Sequence, residues 1–183
     1  MNLSIDLYNF SLVNINFLDT KKNIIMDGNF TKIIYSNQWF TINSIFIHFP
    51  IEWLSVEKIA NKSILRFNPY SPKNLPIVQD FAKFETRILE YFKTFGKLHT
   101  RTTNTFSKQL YTGNMKIFKE YVDPNKVPYD DHSYYGGKII VTNDRDNLPE
   151  TQRMFVIKIS GIWENYEEIG LTFKLMEQGD IVN

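Results

Sequence analysis

The residues best suited to binding chemistry lie in one stretch, residues 91–119, which we call the basic window. It contains no acidic residue, although the whole chain is nearly neutral, with a formal net charge of +1. Its cations are Lys93, Lys97, Arg101, Lys108, Lys116 and Lys119, and aromatic side chains are interleaved with them. Lysine and arginine attract phosphates, and aromatic rings stack on unpaired bases. The basic window therefore predicts a surface for single-stranded nucleic acid.

A second interpretation of the basic window is purely structural. Aromatic residues at this density usually belong to a hydrophobic core, and a run of cations is often only a solvated face of a protein. For any single ring in the window, core packing is the more common role. The window as a whole favours a binding surface, so both interpretations stay open at the level of sequence.

Candidate contact residues come from the basic window and from similar side chains elsewhere in the chain. For contact with phosphates we select Lys97, Arg101, Lys108, Lys116, Lys119 and Lys138. For stacking on bases we select Trp39, Phe106, Tyr111, Phe118, Tyr135 and Trp163. Lys174 joins the first set if the polar face of the last predicted strand lines the binding groove. Trp163 is equally suited to a core position.

Composition limits the classes of protein that need to be considered. The chain has 183 residues, and we expect residues 1–183 to form a single nucleic-acid-binding domain. Cysteine is absent, which excludes disulfides and thiolate metal sites and suits a reducing compartment. The first residues lack the pattern of a signal peptide, and no apolar run is long enough to span a bilayer. We therefore expect an intracellular protein that is neither secreted nor in contact with a membrane.

Hydrophobic periodicity predicts a mainly β protein with one or two helices. Alternating apolar residues indicate strands at residues 30–35, 39–49, 64–67, 138–142, 154–160 and 169–175, and the alternation slips at residues 43–44. Helical spacing over residues 75–95 predicts a helix that ends at Gly96. Within the basic window, the turn residues 112–114 favour a hairpin that pairs residues 106–111 with residues 115–121.

Motifs for catalysis and for cofactor binding are absent from the sequence. The glycine pair 136–137 lacks the spacing of a phosphate-binding loop, and the three histidines lie far apart. Residues 130–132, Asp-Asp-His, come nearest to a metal cluster, but acids in such a turn-rich loop usually bond to the local backbone. We therefore expect neither an enzyme nor a cofactor, and no metal. A nuclease would need the carboxylates of Asp123, Asp130 and Asp131 around an ion.

The C-terminal part of the chain carries a family resemblance. Residues 160–164, Ser-Gly-Ile-Trp-Glu, and residues 169–174, Ile-Gly-Leu-Thr-Phe-Lys, resemble the closing hairpin of single-stranded DNA-binding proteins from large DNA viruses and related linear elements. Residues 110–117 resemble their middle region. These proteins are similar in turn to phage single-strand binders with an OB-fold. The resemblance implies a five-stranded barrel, here with an added helix and a long basic loop or hairpin.

The same resemblance implies a function in viral DNA replication or recombination. A protein of this kind coats and protects single-stranded DNA with little sequence preference, in the host cytoplasm or at a viral replication site. RNA is an alternative ligand, since the distinction depends on 2′-hydroxyl contacts. Replication proteins and a second copy of the chain are further candidate partners. The alternative function is a β-rich viral structural or scaffold protein whose basic surface binds an acidic partner.

Overall fold

The computed structural model describes residues 4–23, 27–60, 62–96, 100–118 and 153–178. In chain order the strands and helices are β1 Ile15–Phe17, β2 Lys21–Lys22, β3 Asn29–Ser36, β4 Thr41–Asn43, β5 Ile45–His48, β6 Trp53–Ile59, β7 Lys62–Phe67, α1 Asn74–Gly96, β8 Arg101–Thr102, α2 Thr105–Thr112, β9 Asn114–Phe118, β10 Met154–Glu164 and β11 Glu168–Gln178. Neither helix combines the length and the apolar composition that crossing a bilayer needs. The mainly β fold with two helices is confirmed.

The strands form one mixed sheet, and its main path runs β1-β3-β10-β11-β9-β7-β6. β2 and β4 pair with β3, β5 pairs with β10, and β8 pairs with β11. β8 and β9 run parallel to β11, whereas the other pairs are antiparallel. Among the strands that the structure describes, β1 and β6 end this path without pairing with each other, so the sheet is open. The predicted strand at residues 138–142 lies outside the described residues.

Two irregularities bend the sheet. The first half of β10 pairs with β5 and its second half with β3, and the register shifts at Ser160 between the two halves. Ser44, with φ of +89°, separates β4 from β5, and its N–H donates to the carbonyl of Ile33 at 3.1 Å. The slip in the alternation of apolar residues at 43–44 thus corresponds to a break between two short strands.

Helix α1 covers the core side of the sheet, as the helical spacing of residues 75–95 predicts. Its buried residues recur at intervals of three or four positions, which places them on one face. They are Val78, Phe81, Phe84, Glu85, Ile88, Leu89 and Phe92, together with Asn74 at the start of the helix. The described part of the helix extends to Gly96, the predicted last residue.

The hairpin predicted within the basic window is wrong. Residues 105–112 form α2 instead, because Phe106 and Leu110 are one helical turn apart and both are fully buried. Gly113 ends the helix with φ of +69°, and its N–H donates to the carbonyl of Leu110 at 3.1 Å. β9 then enters the sheet between β7 and β11. The strand β6, which the sequence did not indicate, pairs with β7.

A buried carboxylate joins the two helices. Glu85 of α1 is fully buried and accepts hydrogen bonds from the N–H groups of Phe106 and Ser107, at 3.0 and 2.7 Å, and from the Ser107 hydroxyl at 2.5 Å. These donors lie in the first turn of α2, where backbone N–H groups lack helical partners. Burial raises the pKa of Glu85, against the opposite effects of these hydrogen bonds and of Lys108.

The raised pKa of Glu85 predicts a pH dependence of stability. Between the usual carboxyl pKa of 4.5 and the higher folded value, the folded state binds more protons than the unfolded state. The free energy of unfolding contributed by this group is therefore largest at low pH and decreases as the pH rises through the folded pKa. We expect the free energy of unfolding of the unmodified protein, relative to that of Glu85→Gln, to decrease across this range. Urea unfolding of both proteins over a pH series measures it, and a relative increase with pH would contradict the prediction.

Candidate nucleic-acid interface

The sheet has a core face, covered by the helices, and an opposite face that we call the outer face. Side chains alternate between the two faces along each strand. Lys116 is exposed between the buried residues Met115 and Ile117, and Lys158 is half-buried between Ile157 and Ile159, which are fully buried. On β11, exposed Lys174 alternates with core residues in the same way. The outer face thus carries lysines on three of the strands at the centre of the sheet.

Strand register brings these three lysines together into what we call the lysine row: Lys116, Lys158 and Lys174. Lys158 of β10 lies directly opposite Lys174 of β11. On the other side of β11, the parallel pairing of Leu175 with Ile117 places Lys174 beside Lys116. Neighbouring strands are about 4.8 Å apart, so the row crosses about 10 Å of sheet. Within the described ranges, no carboxylate lies at ion-pair distance from any of the three.

Two aromatic rings flank the lysine row on the outer face. The ammonium groups of Lys116 and Lys174 lie 4.5 and 5.2 Å from the ring centroid of Phe118. At the other end, the ammonium group of Lys158 lies 5.1 Å from the ring of Phe46, its cross-strand neighbour on β5. The rings hold the long lysine side chains close to the sheet through cation–π contacts.

The remaining charges on the outer face leave it positive. Its two acids on the described strands are ion-paired with arginines: Glu57 with Arg66 at 2.7 Å, and Glu168 with Arg101. Alternation places three further lysines on the same face, namely Lys21, Lys32 and Lys62. By contrast, the exposed side of α1 mixes both signs, as in the pairs Lys83–Asp80 and Lys93–Glu90.

The predicted phosphate contacts separate into different parts of the fold. Lys116 belongs to the lysine row, and Lys174 does too, as expected if the polar face of the last strand is the binding face. Arg101 also lies on the outer face but is ion-paired with Glu168, and its hydrogen bond is the main cause that lowers the pKa of that carboxyl. Glu168 and Lys174 are about 20 Å apart along β11. Lys108 is exposed on α2, which packs on the core side.

Of the predicted stacking residues, Phe106 was assigned wrongly, because it belongs to the core. Its ring is fully buried, with its centroid 4.7 Å from that of Phe173 and 6.0 Å from that of Phe81, so it has no face free for a base. Tyr111, also on α2, packs against Tyr70 at 6.1 Å and is 36% exposed. Neither residue lies on the outer face.

The other predicted stacking residues are placed differently. Phe118 lies on the outer face beside the lysine row. Trp163 lies on the same face, on β10, and is half-buried. Trp39 is 81% exposed in the turn between β3 and β4. The remaining candidates, Lys97, Lys119, Tyr135 and Lys138, lie outside the described residues.

The sequence prediction missed Lys158 and Phe46. The signal for Lys158 was present, because alternation along the predicted strand 154–160 places Phe155, Ile157 and Ile159 on one face, which leaves Lys158 on the other. Phe46 alternates in the same way with Ile45 and Ile47. What the sequence did not indicate is that β5 and β10 pair, which places the two residues side by side.

Comparisons with known proteins do not assign the chain to a family. The chain matches no protein-family model, no curated protein and no solved structure. Within the described residues, no group of three or more histidine, aspartate or glutamate side chains could hold a metal ion.

Proposed function

We propose that this protein binds single-stranded DNA on the outer face of its sheet and coats and protects it during replication or recombination. The observation that carries the proposal is the lysine row: three adjacent ammonium groups without described carboxylate partners, flanked by the rings of Phe118 and Phe46. Like charges directly opposite each other destabilise a sheet. A row of them is consistent with a surface kept for an anion.

The side chains of the row favour binding that is largely independent of sequence. Lysine presents a compact point charge suited to phosphates, whereas readout of base edges typically uses the forked guanidinium or amide groups. Rings on an open sheet face can stack on unpaired bases of any type. Bases paired in a duplex are not available for such stacking, and we therefore expect a preference for single strands.

An OB-fold relationship is part of the proposal. It is supported by the bends in β3–β5 and β10, since strands that pair with different neighbours along their length are suited to a strongly curved sheet. A curved sheet with nucleic acid on one face fits the binding mode of that fold. The barrel itself is a proposal, because the described strands form an open sheet.

A salt titration of oligonucleotide binding tests the proposed function. We expect binding to a single-stranded oligo-dT to be tighter than to a duplex of equal length, and to weaken steeply as salt rises. Each phosphate contact adds about 0.7 to the slope of log affinity against log salt, so the lysine row contributes about 2. An oligo-U strand tests RNA in parallel. Salt-independent binding, or a preference for the duplex, would contradict the proposal.

Adding poly-glutamate as a ligand to the same titration distinguishes single-strand binding from the alternative function. A structural or scaffold protein with a basic partner-binding surface would bind poly-glutamate as tightly as oligo-dT, because only charge would matter. A single-strand binder gains stacking as well, and we expect it to prefer oligo-dT at equal charge and ionic strength.

A further inference from the structure

A second aromatic feature lies on the outer face, nearer the hairpin turn of β10 and β11. Phe30 of β3 pairs in register with Trp163 of β10, and Trp163 pairs with Gly170 of β11. Both rings are half-buried and lie on the same face as Lys174, because Gly170 and Lys174 are four residues apart on one strand. We call Phe30 and Trp163 the ring pair.

Each ring of the pair rests on a glycine. A methyl group built on Gly170 would fall 2.5, 2.6 and 2.8 Å from Cζ2, Cε2 and Nε1 of Trp163. These three atoms are bonded in a row along one edge of the indole, so this edge of the ring lies against the backbone of Gly170. A methyl group on Gly161 would fall 2.4 Å from the carbonyl oxygen of Thr31 and 2.5 Å from Cζ of Phe30. Gly170 therefore acts as a seat for the Trp163 ring, since any side chain there would displace it. A side chain at Gly161 would meet both the Thr31 backbone and the tip of the Phe30 ring.

Both rings are only half-buried on this face, so part of each ring stays accessible. We propose that Phe30 and Trp163 form a platform on which unpaired nucleobases of the bound strand stack, a proposal that rests on the proposed function. Cations border the platform: Lys21 lies opposite Phe30 on β2, and Lys32 lies opposite Gly161 on β3. The lysine row is about 13 Å away along β11, so one strand can contact both features.

The position of Trp163 on the outer face suits base stacking better than core packing. A tryptophan that only filled the core would point to the side of Ile162 and Ile169, which are fully buried. Trp163 instead lies on the opposite, positively charged face. Stacking on a face that is held in place costs little conformational entropy on binding, because the ring is already fixed by its seat.

The test uses Trp163→Leu, which keeps an apolar cover on Gly170 but removes the stacking face, and Gly170→Ala, which keeps Trp163 but removes its seat. We expect Trp163→Leu to weaken binding to oligo-dT by about 5- to 100-fold, with the slope against salt unchanged. Gly170→Ala should weaken it in the same direction. Phe30→Leu tests the second ring, and Tyr8→Leu, which removes an exposed ring outside the strands of the sheet and should leave binding unchanged, is the matched control.

An abasic strand of equal length separates stacking from phosphate contact. We expect the unmodified protein to bind it more weakly than oligo-dT, and we expect this difference to be smaller for Trp163→Leu, which keeps the other rings of the outer face. Suppose that Trp163→Leu and Phe30→Leu fold and bind oligo-dT with the same affinity and the same salt slope as the unmodified protein. The platform would then be wrong, and the proposed function would stand. If the unmodified protein binds no oligonucleotide, both the platform and the proposed function are wrong.

Discussion

Replacing Lys116, Lys158 and Lys174 together by alanine will weaken binding to single-stranded DNA by about 100-fold at about 0.1 M salt. The three ammonium groups lie side by side on the outer face, and no described carboxylate neutralises them. Losing three phosphate contacts removes about 2 from the slope of log affinity against log salt. Fluorescence anisotropy of a labelled oligonucleotide over a salt series measures both quantities.

The control for this variant is the triple change of Lys73, Lys83 and Lys93 to alanine. It removes the same number of lysines and the same charge, but these lysines are ion-paired with Glu52, Asp80 and Glu90 at 2.7, 3.2 and 3.6 Å. We expect this control to keep nearly the full affinity and slope. Equal losses in the two triple variants would mean that only net charge matters, and the lysine row would not be the site.

Replacing Glu85 by alanine will lower the free energy of unfolding by about 3 kcal/mol. The change leaves the N–H groups of Phe106 and Ser107 and the Ser107 hydroxyl without their partner in the core. It also opens a cavity between α1 and α2, which adds to the loss. Because α2 leads directly into β9, we expect loosening of α2 to disturb Lys116 and Phe118 as well.

Urea unfolding of Glu85→Ala at neutral pH measures the loss in stability. Glu90→Ala on the same helix is the matched control, since Glu90 is exposed and its ion pair with Lys93, at 3.6 Å, contributes little. We expect the control to lie within about 0.5 kcal/mol of the unmodified protein. A loss of less than about 1 kcal/mol for Glu85→Ala would show that the helices dock without the carboxylate.

Much of the secondary structure follows from hydrophobic periodicity. The apolar spacing of residues 75–95 predicted α1, and the alternation of residues 30–35 and 169–175 predicted β3 and β11. Hydrophobic periodicity does not identify an element that is too short to show several apolar positions. Residues 105–112 have only Phe106 and Leu110 to mark a helical face, and the neighbouring turn residues favoured a hairpin instead.

The basic window shows why the candidate site could not be predicted fully from the sequence. Its cations are contiguous in sequence, but the fold separates them: Lys93 pairs with Glu90 on α1, Arg101 pairs with Glu168, and Lys108 lies on α2. Only Lys116, among its described cations, joins the lysine row. The buried face of α2 draws that part of the window to the core side, and β9 brings the chain back to the sheet.

The sequence by itself determined the chemical character of the surface: lysines and rings without a catalytic or metal motif, on strands whose outward positions alternation already identifies. Only the tertiary structure decided which of them are neighbours. Lys116, Lys158 and Lys174 come from three strands, and their order in the sheet depends on pairing between β9, β10 and β11. Such pairing is set by the burial of the whole core face, because shifting a strand by one residue would turn every lysine inward. The row is thus a property of strand register, whereas the basic window is a property of the chain.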